Sequence, residues 1–110
     1  MKNIVTIGAS SSSNSINRKF AYFAAKALTV NCDIKELILS NYEMPIYSED
    51  RQESDGIPDK AILFKRYISD SDGVILSLAE HNGSYTAAFK NIYDWISVIE
   101  NDVWSSKPIL

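Results

Sequence analysis

The feature that most constrains the fold is a regular alternation of short strand patterns with helix patterns. Apolar, β-rich runs occur at Asn3–Ile7, Asp33–Leu39 and Val74–Leu78, and apolar residues at helical spacing follow each run. Such alternation is typical of parallel strands joined by right-handed crossovers. The near-continuous apolar character of Val74–Leu78 also fits a strand buried on both faces. We therefore expect an α/β fold: an open parallel sheet of order 2-1-3 with helices on both faces.

Three helices are predicted around this sheet. The first covers about 16–29 and has its buried side on the residues at helical spacing, namely Ile16, Phe20, Phe23, Ala24, Ala27 and Leu28. The second has Pro58 in its first turn, where a missing N–H costs nothing, and buries Ala61, Phe64, Tyr67 and Ile68. The third runs from residue 86 to about 101, with Ser84 or Thr86 as its cap. Residues 40–56 are expected to be a long polar loop, and Lys107–Leu110 the start of a fourth strand.

Composition limits the classes of protein to which the chain can belong. It has 110 residues, of which 45% are apolar and 23% charged, as in an ordinary globular domain. No apolar run is long enough for a membrane span, and the short apolar start does not read as a signal peptide. A single cysteine, Cys32, excludes an internal disulfide and a cysteine-based metal site. We expect a cytoplasmic protein.

The charged residues indicate neither nucleic-acid binding nor a metal site. The net charge is −3 and the basic residues are scattered, whereas a duplex-binding domain carries a basic face. The acidic residues between 43 and 59 lack the ligand order of a calcium loop and are expected to be solvated. His81 is the only histidine, so a multi-histidine metal site is not expected.

Two polar loops mark the expected ligand site. In open α/β sheets, ligands bind at the carboxyl ends of the strands, where the strand order reverses. Residues 8–15 follow strand one and residues 79–85 follow strand three, and these strands are neighbours in a 2-1-3 order. The sequence therefore predicts a site between the two loops.

The first loop, Gly8–Ser15, is small and rich in serine. Serine hydroxyls, accessible backbone N–H groups and the positive end of the next helix suit a phosphate, with Ser15 as helix cap and Asn17 as an amide donor. A flexible serine-rich turn with a helix cap is the alternative. The chain has neither a P-loop nor a dinucleotide Gly-x-Gly-x-x-Gly pattern.

The second loop, Ala79–Tyr85, offers backbone donors, a carboxylate, an imidazole, an amide and an aromatic ring. These groups suit a planar heterocycle with carbonyl and ring nitrogen atoms. The alternative is a polar connection in which Gly83 permits a turn. No Gly-x-Ser-x-Gly elbow occurs, which argues against a serine hydrolase.

The third helix is apolar nearly all round, continuing into Val103 and Trp104. One face must pack on the sheet. The remainder suggests either a subunit contact or a further part of the domain that covers it.

The strongest motif extends from Ser71–Leu76 into Glu80–Ser97 and contains Asn82-Gly83-Ser84 and Asp94-Trp95. It resembles the signature of the NADPH-dependent FMN reductases of the flavodoxin-like superfamily, which include azo-dye, chromate and quinone reductases. Ser15–Lys19 and Met44–Tyr47 resemble two further elements of the same family. The resemblance covers essentially the whole chain and implies a single flavodoxin-like domain over 1–110, truncated at its C-terminal side.

The resemblance implies an FMN-dependent NAD(P)H oxidoreductase. By position, the FMN phosphate would be held by Ser10, Ser12, Ser15, Ile16 and Asn17. The isoalloxazine ring would be lined by Glu80, His81, Asn82 and Gly83, and the rim closed near the next subunit by Ser84 and Tyr85. NADPH or NADH would supply a hydride, and a quinone, an azo compound or free flavin would accept the electrons, with no catalytic side chain. The family also implies a homo-oligomer, a dimer or a tetramer.

The chain departs from the family pattern at three places. Ser12 stands where many members have arginine, Ala79 and His81 replace the common proline and tyrosine, and the family's third cofactor loop would lie beyond Leu110. The alternative function is therefore a catalytically incompetent half-domain that acts only through self-association. A receiver-type signalling domain is disfavoured because no acidic pair follows strand one.

Overall fold

The computed structural model describes residues 2–9, 16–28, 32–78, 80–81 and 84–110. The main sheet consists of β1 (Lys2–Ala9), β2 (Cys32–Ile38) and β3 (Gly73–Leu78), all parallel. Their order is β2-β1-β3, which confirms the predicted 2-1-3 arrangement. β1, which contains the β-branched run after Lys2, is the central strand: it pairs with β2 on one side and with β3 on the other.

Helices cover both faces of this sheet, as predicted. α1 (Ile16–Leu28) lies on one face, and α3 (Asp59–Asp70) and α4 (Ala87–Ser97) lie on the other. Side chains alternate along β1, so that Val5 and Ile7 pack toward α3 and α4 while Ile4 packs toward α1, as the two-residue period of a strand requires. Of the residues predicted for the buried side of α3, Ala61, Phe64 and Ile68 are buried, and Tyr67 is partly buried and packs against the same core.

The predicted buried side of α1 is wrong at its large side chains, although Ala24, also predicted, does pack against the core. Ile16, Phe20 and Phe23 are 78%, 65% and 71% exposed, whereas the fully buried residues of this helix are Ala21 and Ala25. The reason is a very close approach of α1 to the sheet. A Cβ at Gly8 would lie 2.2 Å from the backbone of Arg18, so only small side chains fit between the helix and the strands.

The predicted long loop contains two helical segments that sequence reasoning missed. A 3₁₀ turn at Leu39–Tyr42 follows β2, and α2 spans Glu49–Asp55. α2 buries none of its residues, so it has no apolar period for a sequence pattern to detect. Ser48 caps it by accepting a hydrogen bond from the Arg51 N–H at 3.1 Å. A capping serine before two acidic residues was the only available signal.

The fourth strand is not shown as an element of the fold. Ile109 makes one isolated parallel bridge to Val74 on the free side of β3. The Val74 N–H donates to the Pro108 carbonyl at 2.9 Å, and the Leu110 N–H donates to the Val74 carbonyl at 3.0 Å. The end of the chain therefore contacts β3 in the parallel sense, but the predicted fourth strand is not formed.

The described part of the chain covers most of the apolar surface of α4. Phe89, Ile92, Trp95 and Ile96 are buried, as is Val103 beyond the helix, and Tyr93 and Trp104 pack against the same core. α4 ends at Ser97, before the predicted end near residue 101. α1, by contrast, leaves Ile16, Phe20 and Phe23 exposed. No helix within the described ranges is long and apolar enough to cross a membrane.

Candidate functional site at the carboxyl edge of the sheet

The site is built on the neighbouring ends of β1 and β3. In the register of this pair, Ala9 lies opposite Leu78, so the two strands finish at the same level. Segments 10–15 and 79–85 therefore leave the sheet from adjacent positions. This is the arrangement that the predicted strand order required.

The segment after β3 returns on itself as a small hairpin. β4 (Glu80–His81) and β5 (Ser84–Tyr85) are antiparallel, with Glu80 opposite Tyr85 and His81 opposite Ser84. The hairpin carries the chain directly to Thr86, where α4 begins. Each strand of a two-stranded hairpin has backbone donors and acceptors that its partner strand does not use, and such groups suit the rim of a planar ligand.

Thr86 joins the end of β1 to the start of α4. Its Oγ1 donates a hydrogen bond to the Ala9 carbonyl at 2.9 Å and accepts one from the Phe89 N–H at 3.2 Å. The residue is only 3% exposed, so both bonds lie away from water. Of the two predicted caps for α4, Thr86 is therefore the one that the structure uses.

A second side-chain contact joins β3 to α1. The Ser77 hydroxyl donates to Oδ1 of Asn17 at 2.8 Å. The contact fixes the orientation of the Asn17 amide: Oδ1 accepts from Ser77, and Nδ2 is the atom that can donate. Arg18, the next residue, forms a 3.3 Å ion pair with Glu36 of β2, and this pair holds the first turn of α1 over the sheet.

The predicted site residues are described to different extents. Ile16 and Asn17 lie in the first turn of α1, directly after the serine-rich segment. For the hairpin residues Glu80, His81, Ser84 and Tyr85, the structure describes the backbone only. The rest lie outside the described residues: Ser10, Ser12, Ser15, Asn82 and Gly83.

A third loop, Met44–Tyr47, is held against α4 by side chains that sequence reasoning did not assign to this role. Nδ2 of Asn91 donates to the carbonyls of Met44 and Pro45, and Oδ1 of Asn91 accepts from the Tyr47 N–H at 2.8 Å. The Trp95 indole N–H also donates to the Pro45 carbonyl at 2.8 Å.

α4 and its cap Thr86 therefore contact three parts of the fold: the hairpin, the end of β1 and the loop Met44–Tyr47. The sequence offered one indication of the contact with Met44–Tyr47: Asn91 and Trp95 lie four residues apart, and so on one face of the helix. The signal for the contact of Ser77 was a polar residue near the end of an otherwise apolar strand.

The first turn of α1 and the β4–β5 hairpin are the described elements that follow the ends of β1 and β3. α1 is 13 residues long, and the backbone N–H groups of its first turn lack partners within the helix, which favours a negative charge there. The hairpin beside it presents backbone hydrogen-bonding groups. Within the described ranges, no group of three or more histidine, cysteine, aspartate or glutamate residues could hold a metal ion.

Comparison with known proteins identifies a family. The family described as NADPH-dependent FMN reductase matches residues 2–110. An Escherichia coli protein described as "Quinone reductase" is 28% identical over 107 residues, which cover 97% of this chain and 56% of the relative. A Mycoplasma pneumoniae protein described as "Uncharacterized protein MG342 homolog" is 38% identical over 86 residues, covering 78% of this chain and 49% of the relative.

A solved structure has the same fold. The flavoenzyme NAD(P)H:(acceptor) oxidoreductase FerB from Paracoccus denitrificans superposes with a TM-score of 0.76 at 24% identity, covering 99% of this chain and 58% of that chain. The chain thus spans about half the length of the relatives that it matches.

Proposed function

The chain belongs to the NADPH-dependent FMN reductase family, and we propose that it binds FMN at the carboxyl edge of its sheet for the NAD(P)H-dependent reduction of a small-molecule acceptor. The observation that carries this proposal is the placement of two loops. β1 and β3 end side by side, with Ala9 opposite Leu78. The serine-rich segment and the hairpin therefore follow neighbouring strand ends, which supports a ligand with a phosphate and a flat ring.

The phosphate half of the proposed site is the start of α1. We assign phosphate binding to Ser10, Ser12, Ser15, Ile16 and Asn17. Serine hydroxyls and the backbone N–H groups at a helix start are suitable donors for a phosphate. The Asn17 amide adds a donor, because its oxygen already accepts from Ser77.

The ring half of the proposed site is the hairpin. We assign the isoalloxazine contacts to Glu80, His81, Asn82 and Gly83, and the rim to Ser84 and Tyr85. Bound FMN supplies the redox chemistry, accepting a hydride from NADPH or NADH and transferring electrons to the acceptor. The protein binds and orients the ring, and we assign no side chain a catalytic role.

We propose a quinone as the acceptor because the Escherichia coli relative carries the description of a quinone reductase. An azo compound or free flavin is the second choice. Both nicotinamide cofactors remain in the proposal, since neither the hairpin nor the start of α1 distinguishes them. The cytoplasmic location expected from the single cysteine stays a prediction.

We further propose that the chain self-associates as a homodimer or a tetramer. The support is the apolar surface of α1, where Ile16, Phe20 and Phe23 are exposed. Large contiguous exposed apolar patches commonly mark interfaces. A second copy of the chain is the proposed occupant of this surface.

The experiment is a titration of the purified chain into FMN, followed by flavin fluorescence and by the visible absorbance spectrum. Saturable quenching and a shifted flavin band are expected. A colourless protein that leaves the fluorescence unchanged would overturn FMN binding and favour the half-domain alternative. Steady-state oxidation of NADH and NADPH with a benzoquinone then tests the proposed acceptor and the nicotinamide preference.

A matched variant tests the assignment of the phosphate end. Asn17→Asp keeps an oxygen that can accept from Ser77 but replaces an amide donor with a negative charge. Hydrogen bonds to charged groups contribute about 1.5–3 kcal/mol, so we expect FMN affinity to fall about tenfold or more. Riboflavin, which lacks the phosphate, should bind both proteins about equally. Equal losses for FMN and riboflavin would contradict the assignment.

A further inference from the structure

We infer that Ser77 and Thr86 are positioning residues that hold the phosphate-binding segment and the ring-binding hairpin at a fixed separation. This inference rests on the proposed function, because it assigns the two segments to the two ends of FMN. It concerns hydroxyl groups that are not themselves assigned to contact the ligand.

The two segments join the rest of the fold at four points. Segment 10–15 begins after Ala9 and is followed by the first turn of α1, which contains Asn17. Segment 79–85 is preceded by Ser77 and Leu78 and followed by Thr86. The Thr86 hydroxyl bonds the Ala9 carbonyl at 2.9 Å, and the Ser77 hydroxyl bonds Oδ1 of Asn17 at 2.8 Å. Each segment is therefore tied to the other at both of its ends.

The tie at Thr86 is protected from water. Thr86 is 3% exposed, and Ala9 is fully buried. A hydrogen bond in such surroundings is not readily exchanged for one to solvent, and removal of the hydroxyl leaves two buried backbone groups without their observed partner. The same hydroxyl accepts from the Phe89 N–H, so the start of α4 and the end of β1 cannot shift independently.

The tie at Ser77 explains a polar residue in an apolar strand. Val74, Ile75, Leu76 and Leu78 surround Ser77 in β3. Ile75 packs against Ala21 and Ala25 of α1, and side chains two apart in a strand share a face. Ser77 therefore faces the same helix one step nearer the site, where its partner is polar rather than apolar.

Both ties act on a ligand that must reach two places at once. The phosphate and the ring of FMN are covalently linked, so binding at one end raises the effective concentration of the other end at its own segment. That gain depends on the separation of the two segments. Loss of a tie should weaken FMN more than a ligand that contacts only the hairpin.

The test compares FMN with riboflavin in four variants. Thr86→Val removes the hydroxyl with little change in shape, Thr86→Ser keeps it, and Ser77→Ala removes the second tie. The control is Ser71→Ala, which removes a hydroxyl that is equally buried and bonds the Ile68 carbonyl at 2.7 Å near the opposite edge of the sheet. Dissociation constants come from fluorescence titration, and stability from urea denaturation.

We expect Thr86→Val and Ser77→Ala each to reduce the ratio of FMN affinity to riboflavin affinity by about fivefold to tenfold. A change of this size corresponds to the net contribution of about one hydrogen bond. Thr86→Ser should stay within about twofold of the parent, and Ser71→Ala should lower stability without changing the ratio. If Thr86→Val does not fold, Thr86→Ser and Ser77→Ala carry the comparison.

Two results would overturn the inference. If the parent binds FMN and the variants lose FMN and riboflavin affinity equally, the ties are structural only and the proposed function survives. If Ser71→Ala changes the ratio as much as Ser77→Ala, the effect is general destabilisation. Failure of the parent chain to bind FMN overturns the proposed function and this inference with it.

Discussion

Gly8 is the residue at which backbone geometry most directly shapes the site. It lies at the end of β1, and a Cβ there would meet the N and Cα atoms of Arg18 at 2.2 Å. Backbone atoms cannot move aside as a flexible side chain can, so α1 itself would have to shift. Glycine at this position is therefore required for the start of α1 to lie against the strand that leads into the serine-rich segment.

We predict that Gly8→Ala lowers the free energy of unfolding by about 2–3 kcal/mol, as expected for overpacking against rigid groups, and also weakens FMN binding. Urea denaturation and fluorescence titration measure the two effects. Gly73→Ala is the matched control in the same sheet, because a Cβ there would have its nearest neighbours at 3.5 and 3.6 Å, in ordinary contact. Similar losses for both variants would contradict this account of Gly8.

Tyr42 makes the free energy of unfolding depend on pH in the alkaline range. Burial, and then the neighbouring Tyr67, raise the pKa of Tyr42 above its ordinary value, and its ring packs edge-on against Phe64 at 5.0 Å. The folded state thus holds the Tyr42 proton more tightly than the unfolded chain does. Its contribution to stability is complete below the unfolded pKa of about 10 and is lost as the pH rises above that value.

We predict that the parent loses stability between pH 9 and pH 11 more steeply than Tyr42→Phe, which has no phenol to ionise. Urea denaturation at several pH values measures the difference. Parallel stability curves for the two proteins across this range would show that Tyr42 does not contribute to the alkaline loss.

At the scale of elements, a buried lysine fastens the turn that follows α4. Lys65 of α3 is 4% exposed, and its Nζ donates to the Asp102 and Val103 carbonyls and to the Ser105 hydroxyl, each at 2.7 Å. Glu100 lies 3.4 Å from the same nitrogen. Ser105 and the next residue have φ values of 52° and 58°, which are unfavourable for residues with a side chain. The lysine therefore stabilises a strained turn that leads to the contact of residues 108–110 with β3.

We predict that Lys65→Met destabilises the fold by about 3 kcal/mol, because it leaves buried acceptors without a donor. Lys60→Met is the control: Lys60 is exposed, makes a single hydrogen bond at 3.4 Å, and should change stability by less than about 0.5 kcal/mol. Hydrogen exchange should also show faster exchange at the Leu110 amide in Lys65→Met. Unchanged exchange there would argue against the link between this turn and the edge of β3.

At the scale of the whole molecule, the surface of α1 is the feature to test for self-association. We predict that the parent chain sediments as an oligomer and that Phe20→Lys, a substitution at a 65% exposed position, shifts it toward monomer by at least tenfold in dissociation constant. Phe20→Leu keeps an apolar side chain and should associate nearly as well as the parent. Ile62→Lys, at a partly exposed site on α3, should have no effect.

Two results of the sedimentation experiment would count against the proposed interface. A monomeric parent chain at micromolar concentration would remove the self-association proposal entirely. An oligomer that Phe20→Lys leaves intact would show that copies of the chain meet elsewhere. In both cases the proposal of FMN binding would be unaffected, because the phosphate segment and the hairpin belong to one chain.

Strand order, and with it the adjacent ends of β1 and β3, was predictable from sequence because it follows from local pattern and from the handedness of the chain. The apolar run at Val74–Leu78 indicated a parallel strand, and right-handed crossovers place the ends of β1 and β3 together whatever the side chains beside them. By contrast, α2 escaped prediction because Glu49–Asp55 buries nothing and so leaves no apolar period.

The buried side of α1 and the two hydroxyl ties were decided by tertiary structure alone. A sequence pattern shows that Phe20 and Phe23 share one face of a helix, but not how closely that helix approaches the sheet. That distance is set by Gly8 against Arg18, and it admits alanine and excludes phenylalanine. Likewise, the sequence around Ser77 does not indicate that its partner is Asn17, which is 60 residues away. The same holds for Thr86 and Ala9, which are 77 residues apart. They exist only once strand register and helix packing have brought the two ends of the site together.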